Sequence, residues 1–257
     1  MTERISPKEL FYLCRELRET DRQTSHYLLN AFDRGMTNYR IFDNGTILKN
    51  KLSGRIPKNL EYLANESGEV IVIGNMYGNL PMNIVFRGIT RKEFYVYGKS
   101  IPFYGLGMME KNFTYMQPII LVEGLLDRDV LSQFYPNVLA VLSSSLTVQQ
   151  REVLSILTKD VILAYDADEM GQRGITRDLY KLTNAGFNSV RVLKHPKDFK
   201  DAGNLAELRF SPLKDLYLIE SIESYYRTHI DILVGGNIGW VKPKKKLPWK
   251  LSRGSTR

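Results

Sequence analysis

PIILVEGLLDRDV (Pro118 to Val130) and VILAYDADEMGQRG (Val161 to Gly174) decide the fold of this chain. Each is a short aliphatic run that ends abruptly in carboxylates. Bounded by glycine and acids, such a run reads as a strand buried on both faces. A buried parallel strand delivers whatever follows it to the carboxyl edge of its sheet, where open α/β folds bind ligands. The residues delivered here are Glu123, Asp166 and Asp168. Crowded carboxylates repel, so they coexist only with bound cations or shared protons. Asp166 and Asp168 are two apart and, at the end of an extended segment, point the same way with roughly 6–7 Å between Cα atoms. That spacing suits shared coordination of a hard divalent cation, which prefers carboxylate oxygen.

Outward from these runs, strand and helix alternate regularly after Gln117. The pattern predicts strands at 119–122, 138–142, 161–165 and 189–193, with helices at 127–134, 148–157 and 175–185 between them. Thr147 stands where the second helix needs an N-cap. Such alternation implies right-handed crossovers and a parallel sheet covered by helices. Upstream the pattern differs. Residues 69–107 alternate aromatic and aliphatic side chains with glycine, giving strands at 69–73, 84–86 and 94–97 of a small, mostly antiparallel unit. Asn44-Gly45 marks a turn. Leu10, Leu13, Leu17, Tyr27, Leu28, Ala31 and Phe32 carry helical spacing over 7–34. Helices are expected again from 213 to about 234. The fold class is α/β, with a small α+β subdomain at 1–116, a parallel-sheet domain at 117–210, a helical segment at 211–235 and a basic flexible tail at 236–257.

Composition narrows the setting. Of 257 residues, 43% are apolar and 25% charged, which is ordinary for a globular protein. No run of eighteen apolar residues exists to span a membrane. The charged start MTERISPKEL lacks the apolar stretch of a secretory signal, so a cytoplasmic protein is expected. The single cysteine, Cys14, excludes an intrachain disulfide and a cysteine-rich zinc site, and reads as a buried, inert thiol on an amphipathic helix. Seven of the eight net positive charges fall after Gly235: Lys242, Lys244, Lys245, Lys246, Lys250, Arg253 and Arg257, with no acid among them. Together with Trp240 and Trp249, such a tail can grip a nucleic-acid backbone. A solvated tail without a partner fits its composition equally well.

The residues themselves resemble a known family. LVEGLLD (121 to 127) and YDADEMGQRG (165 to 174) look like the two signature motifs of the Toprim domain. With the acidic loop PKDFKDAGNL (196 to 205) and the turn LSSSLT (142 to 147), they match the version found in DnaG-type bacterial and phage primases. FYVYGKSIPFYGL (94 to 106) is similar to the segment that precedes Toprim in the primase core. YLLNAFDRGMTNYRIFDNG (27 to 45) resembles, more loosely, the family's opening helices.

The resemblance implies a DNA primase catalytic subunit that makes short RNA primers on a single-stranded DNA template from ribonucleoside triphosphates. Glu123 would be the central catalytic carboxylate. Asp166 and Asp168 would be the main ligands of Mg²⁺ or Mn²⁺, with Asp127 and Asp201 in support, and Lys99 would hold nucleotide. Arg87, Arg91 and Lys92 would extend the basic surface toward nucleic acid, as would Lys244, Lys245 and Lys246 in the tail. The family's arginine after Phe-x-x is Ile89 here, and Arg87 is its nearest substitute. One cysteine cannot build the zinc module that usually opens these primases, so no zinc is expected. Without a GxxxxGK[ST] loop, no fused helicase of the nucleotide-hydrolysing type is expected. A separate helicase or template-recognition protein is the implied partner. Two alternatives stand beside this reading: a Toprim-family nuclease, and a non-catalytic nucleic-acid-binding replisome adaptor.

Overall fold

The computed structural model describes residues 4–17, 39–89, 93–109, 113–114, 117–205, 220–222 and 224–225. Two sheets organise them. The first is antiparallel, in the order β1 (Arg15–Glu16), β2 (Tyr39–Asp43), β3 (Glu69–Tyr77), β4 (Leu80–Gly88) and β5 (Phe94–Gly98). The second is parallel, in the order β7 (Val138–Ala140), β6 (Ile119–Val122), β8 (Asp160–Leu163) and β9 (Ser189–Val192). Helices α1 (Pro7–Leu13), α2 (Asn44–Lys49), α3 (Lys58–Ser67) and α4 (Leu106–Met109) accompany the first sheet. The second carries α5 (Leu125–Leu131), α6 (Val148–Leu157) and α7 (Glu169–Asn184).

The alternation of side chains along each strand explains how the layers stack. In β6, Ile119 and Leu121 face a core shared with Leu154 of α6 and Ile175 and Leu182 of α7. Ile120 and Val122 face the other way, into a core shared with Val130 and Leu131 of α5. That second core continues into the antiparallel sheet through Tyr39, Ile41, Ile71, Ile73 and Val85. The opposite face of the antiparallel sheet, with Phe42, Val70, Val72, Ile84 and Phe86, packs on Leu10, Phe11, Leu60 and Leu63 of α1 and α3. One core therefore joins the two sheets across the 116/117 boundary. A buried polar clamp reinforces it. Asp129 of α5 accepts hydrogen bonds from the Tyr39 hydroxyl at 2.5 Å, the Tyr104 hydroxyl at 3.2 Å and the Arg128 guanidinium at 3.1 Å.

Most of the expected elements of the parallel domain are present, the 119–122 strand and the 148–157 helix with the same boundaries. Thr147 caps α6 through a full capping box with Gln150. Three expectations need correction. The helix expected over 7–34 ends at Leu13. Cys14 is extended, and Arg15–Glu16 pairs with β2, so long-range strand pairing overrides the helical spacing. The remainder of that segment, 18–38, lies outside the described residues. Asn44-Gly45, expected as a turn, opens the helix α2, capped by the Asp43 carboxylate on the Thr46 N–H at 2.7 Å. The helix expected from Ile175 starts six residues earlier, at Glu169, with Gly171 and Gly174 inside it. Cys14 is buried as expected. Its thiol donates to the Leu10 carbonyl, and burial pushes its pKa up to about 12. Residues 220–222 and 224–225 are helical; the rest of the 213–234 helix and the whole tail lie outside the described residues.

Candidate active site

Three strand-end segments of the parallel sheet meet at one place. β6 ends at Val122 and passes through Glu123 and Gly124 into α5. A Cβ on Gly124 would come within 2.4 Å of Asp127 Oδ2, so glycine is what lets Asp127 fold back on the strand exit. β8 is followed by Asp166, and Asp168 caps α7 by accepting the Gly171 N–H at 3.0 Å. The glycines of α7 permit the closeness: a Cβ on Gly171 would lie 2.1 Å from the Asp166 carbonyl oxygen, and one on Gly174 2.4 Å from that of Ser144. The loop after β9 ties the two strand ends together. Ala167 N–H donates to the Lys200 carbonyl at 2.7 Å, and Gly203 N–H donates to Asp127 Oδ1 at 2.7 Å.

The 142–146 loop completes the rim. Leu142 has φ +55°, a left-handed conformation costly for a leucine, and its N–H donates to the Glu123 carbonyl at 3.0 Å. Fully buried Asp178 pins this loop. Its carboxylate accepts from Ser145 Oγ at 2.6 Å, the Leu146 N–H at 2.9 Å and the Tyr165 hydroxyl at 2.7 Å.

The electrostatics follow from crowding. Burial, reinforced by the Asp166 charge, pushes the half-buried Glu123 from 4.5 up to about 7. Its Oε1 is buried with no hydrogen-bond partner. Burial also raises Asp127 well above the carboxylate range, and the Asp201 charge adds to it. Asp166 is raised by burial against the pull of Lys200, whereas Asp168 is lowered, first by the Gly171 N–H. Lys200 Nζ sits 2.9 Å from Asp166 Oδ2 and 3.2 Å from Asp168 Oδ2, and these contacts raise its own pKa. Among the described residues, no three acidic, histidine or cysteine side chains stand close enough to enclose an ion as they are. The donor set nevertheless fits a hard cation. It is all carboxylate oxygen, Glu123 Oε1 is unsatisfied, and an ammonium already lies between two of the acids.

A cleft of about 510 Å³ separates this edge from the antiparallel sheet. Glu123, Asp127, Asp166, Asp201 and Lys200 line one wall; Arg87, Phe94 and Val96 line the other. The Arg87 guanidinium lies 4.8 Å from the Phe94 ring centroid. The expected carboxylates thus converge, with Asp168 joined to them through Lys200. Lys99 does not line the cleft: it is exposed beyond β5, and its carbonyl accepts from Asn83. Arg91, Lys92, Lys244, Lys245 and Lys246 lie outside the described residues. Lys200 went unnoticed in the sequence, where a lysine between Phe199 and Asp201 carries no spacing signal.

The site is thus a carboxylate-edged parallel sheet, in the order β7-β6-β8-β9, that faces an antiparallel sheet across a cleft. Residues 120–205 match the Toprim-like family. A DNA primase of Clostridium acetobutylicum is 36% identical over 114 residues, which is 44% of this chain and 19% of that protein. A DNA primase of Campylobacter jejuni is 31% identical over 124 residues, 48% of this chain and 19% of that protein. The chain therefore matches about a fifth of the length of these relatives. The DnaG primase catalytic domain bound to single-stranded DNA superposes with a TM-score of 0.55 at 17% identity, covering 85% of this chain and 78% of that one. The primase fragment of the bacteriophage T7 primase–helicase protein gives 0.52 at 16%, covering 88% and 78%. Residues 120–205 thus resemble a Toprim-like domain, and the chain shares the fold of the primase catalytic domains it superposes on.

Proposed function

We propose that this chain is a DNA primase catalytic subunit, a nucleotidyltransferase that joins ribonucleotides into short RNA primers on single-stranded DNA. The observation that carries the reading is the convergence of Glu123, Asp127, Asp166 and Asp201 on one wall of a cleft whose other wall bears Arg87. The primase names of its relatives, and the DNA-bound state of one structure with the same fold, support it. Asp166 and Asp168 would hold Mg²⁺ or Mn²⁺, with Asp127 and Asp201 in support. Bound there, the ion neutralises the triphosphate and stabilises the attacking and leaving oxygens.

The chain's own residues supply the rest. A primer 3′-hydroxyl attacks the nucleotide α-phosphate and pyrophosphate leaves. Glu123, held near pH 7, is suited to take the proton from that hydroxyl. Arg87 draws template or triphosphate phosphates into the cleft, and the exposed Phe94 ring beside it gives a base a face to stack on. Lys99 contributes a peripheral phosphate contact. The sites in the tail and at Arg91 and Lys92 add backbone affinity. We place the protein in the cytoplasm of a bacterial or phage-infected cell, as a phage-type primase working with a helicase or template-recognition function. Among the described residues, no helix is long and apolar enough to cross a membrane.

The test is incubation with single-stranded DNA, labelled ribonucleoside triphosphates and Mg²⁺ or Mn²⁺. Short RNA that depends on template supports the proposal. Loss of the DNA without synthesis replaces it with a Toprim nuclease, and nucleic-acid binding without either reaction replaces it with an adaptor.

A further inference from the structure

Lys200 combines a fixed root with a half-exposed head. Its backbone N–H donates to Asn204 Oδ1 at 2.8 Å, and its carbonyl accepts from Ala167, the residue between the two aspartates, at 2.7 Å. The main chain is thus locked against the Asp166–Asp168 segment. The side chain is 53% exposed, yet its ammonium bridges Asp166 Oδ2 and Asp168 Oδ2. An ammonium in that position has the charge sign, the oxygen partners and the bridging geometry of a small cation. Because the head is half in water, it can leave without moving the loop. Glu123 Oε1, buried beside the same aspartate, has no hydrogen-bond partner of its own.

We propose that Lys200 is a built-in placeholder for the divalent ion: its ammonium holds Asp166 and Asp168 together in the metal-free protein and is displaced when the ion enters. The proposal rests on the metal reading of the site given above. Metal entry is then an exchange of one cation for another, and Lys200 sets the ion concentration at which the site fills. An exposed ion pair contributes at most about 1 kcal/mol, so removing the competitor should tighten ion binding by up to about fivefold.

Mn²⁺ alone, without nucleotide, is the probe. In the unmodified chain, amine acetylation at Lys200, read residue by residue by mass spectrometry, should rise when Mn²⁺ saturates the protein. Unchanged or reduced labelling with Mn²⁺ bound would overturn the proposal, because the ammonium would still be on the aspartates. By calorimetry, Lys200→Met should bind Mn²⁺ more tightly than the unmodified chain, and equal or weaker affinity would count against displacement. The Asp166→Asn/Asp168→Asn double variant separates the two ideas. If it loses Mn²⁺ binding while the Lys200 results fail, the metal reading stands and the placeholder falls. If it binds Mn²⁺ as well as the unmodified chain does, both fall. The labelling arm needs no variant, so it decides even if Lys200→Met does not fold.

Discussion

Replacing Glu123 with Gln should make the metal-free protein more stable at pH 8, although it removes the residue at the centre of the site. The sign follows from the proton balance. In the unfolded chain Glu123 releases its proton near 4.5; in the folded protein it holds it to about 7. Between those values the folded state binds more protons, so stability falls as pH rises through that window and levels off above it. Full burial would make this difference about 3 kcal/mol. Glu123 is only half-buried, and solvent screening leaves roughly 1–2 kcal/mol. Gln keeps the shape and has no charge to desolvate, so it escapes the penalty. For a chain of this size the gain corresponds to a Tm higher by about 2–6 °C at pH 8, shrinking to nothing near pH 4.5. Differential scanning fluorimetry in chelator across pH 4.5–8 measures it. Saturating Mn²⁺ should erase the advantage, because the ion compensates the charge that Gln lacks. A Gln variant no more stable than the unmodified protein at pH 8 in chelator would refute the reasoning, since Glu123 would then not be held in a crowded, desolvated edge.

Other outcomes follow from the same geometry. Asp166→Asn with Asp168→Asn should abolish Mn²⁺ binding and RNA synthesis while the circular dichroism spectrum is kept, because Asn still caps α7. Asp178→Ala strips a fully buried carboxylate from Ser145, Leu146 and Tyr165. It should cost about 3–5 kcal/mol in chemical denaturation, and synthesis should fall further than template binding. Arg87→Ala should weaken binding to single-stranded DNA similarly across sequences and lower the salt slope by about 1, read by fluorescence anisotropy. An unchanged slope would remove Arg87 from the nucleic-acid path.

Much of the parallel domain was legible because its signals are local. Aliphatic runs such as Ile119–Val122 and Val161–Leu163 can be buried only on both faces, and Thr147 stands where α6 needs its N-cap. The carboxylates were legible because each follows such a run. What was not legible depends on distant partners. Gly171 and Gly174 precede the helix expected over 175–185, yet they lie inside α7, where the Asp166 and Ser144 carbonyls leave no room for a Cβ. Cys14 and Arg15 carried helical spacing and became extended because β2 supplies a pairing partner. Lys200 and Asp178 act through contacts 32–34 residues away in sequence, at Asp166, Asp168, Leu146 and Ser145, that no spacing rule anticipates.

The central claim is that Glu123 carries nucleotidyl transfer at this edge. Initial rates of template-dependent ribonucleotide incorporation, compared between the unmodified chain and Glu123→Gln with single-stranded DNA and Mg²⁺, test it most directly. The account predicts a loss of at least about a hundredfold, the scale of deleting a positioned acid–base or electrostatic group, with DNA affinity unchanged. Synthesis by Glu123→Gln at the unmodified rate would contradict it.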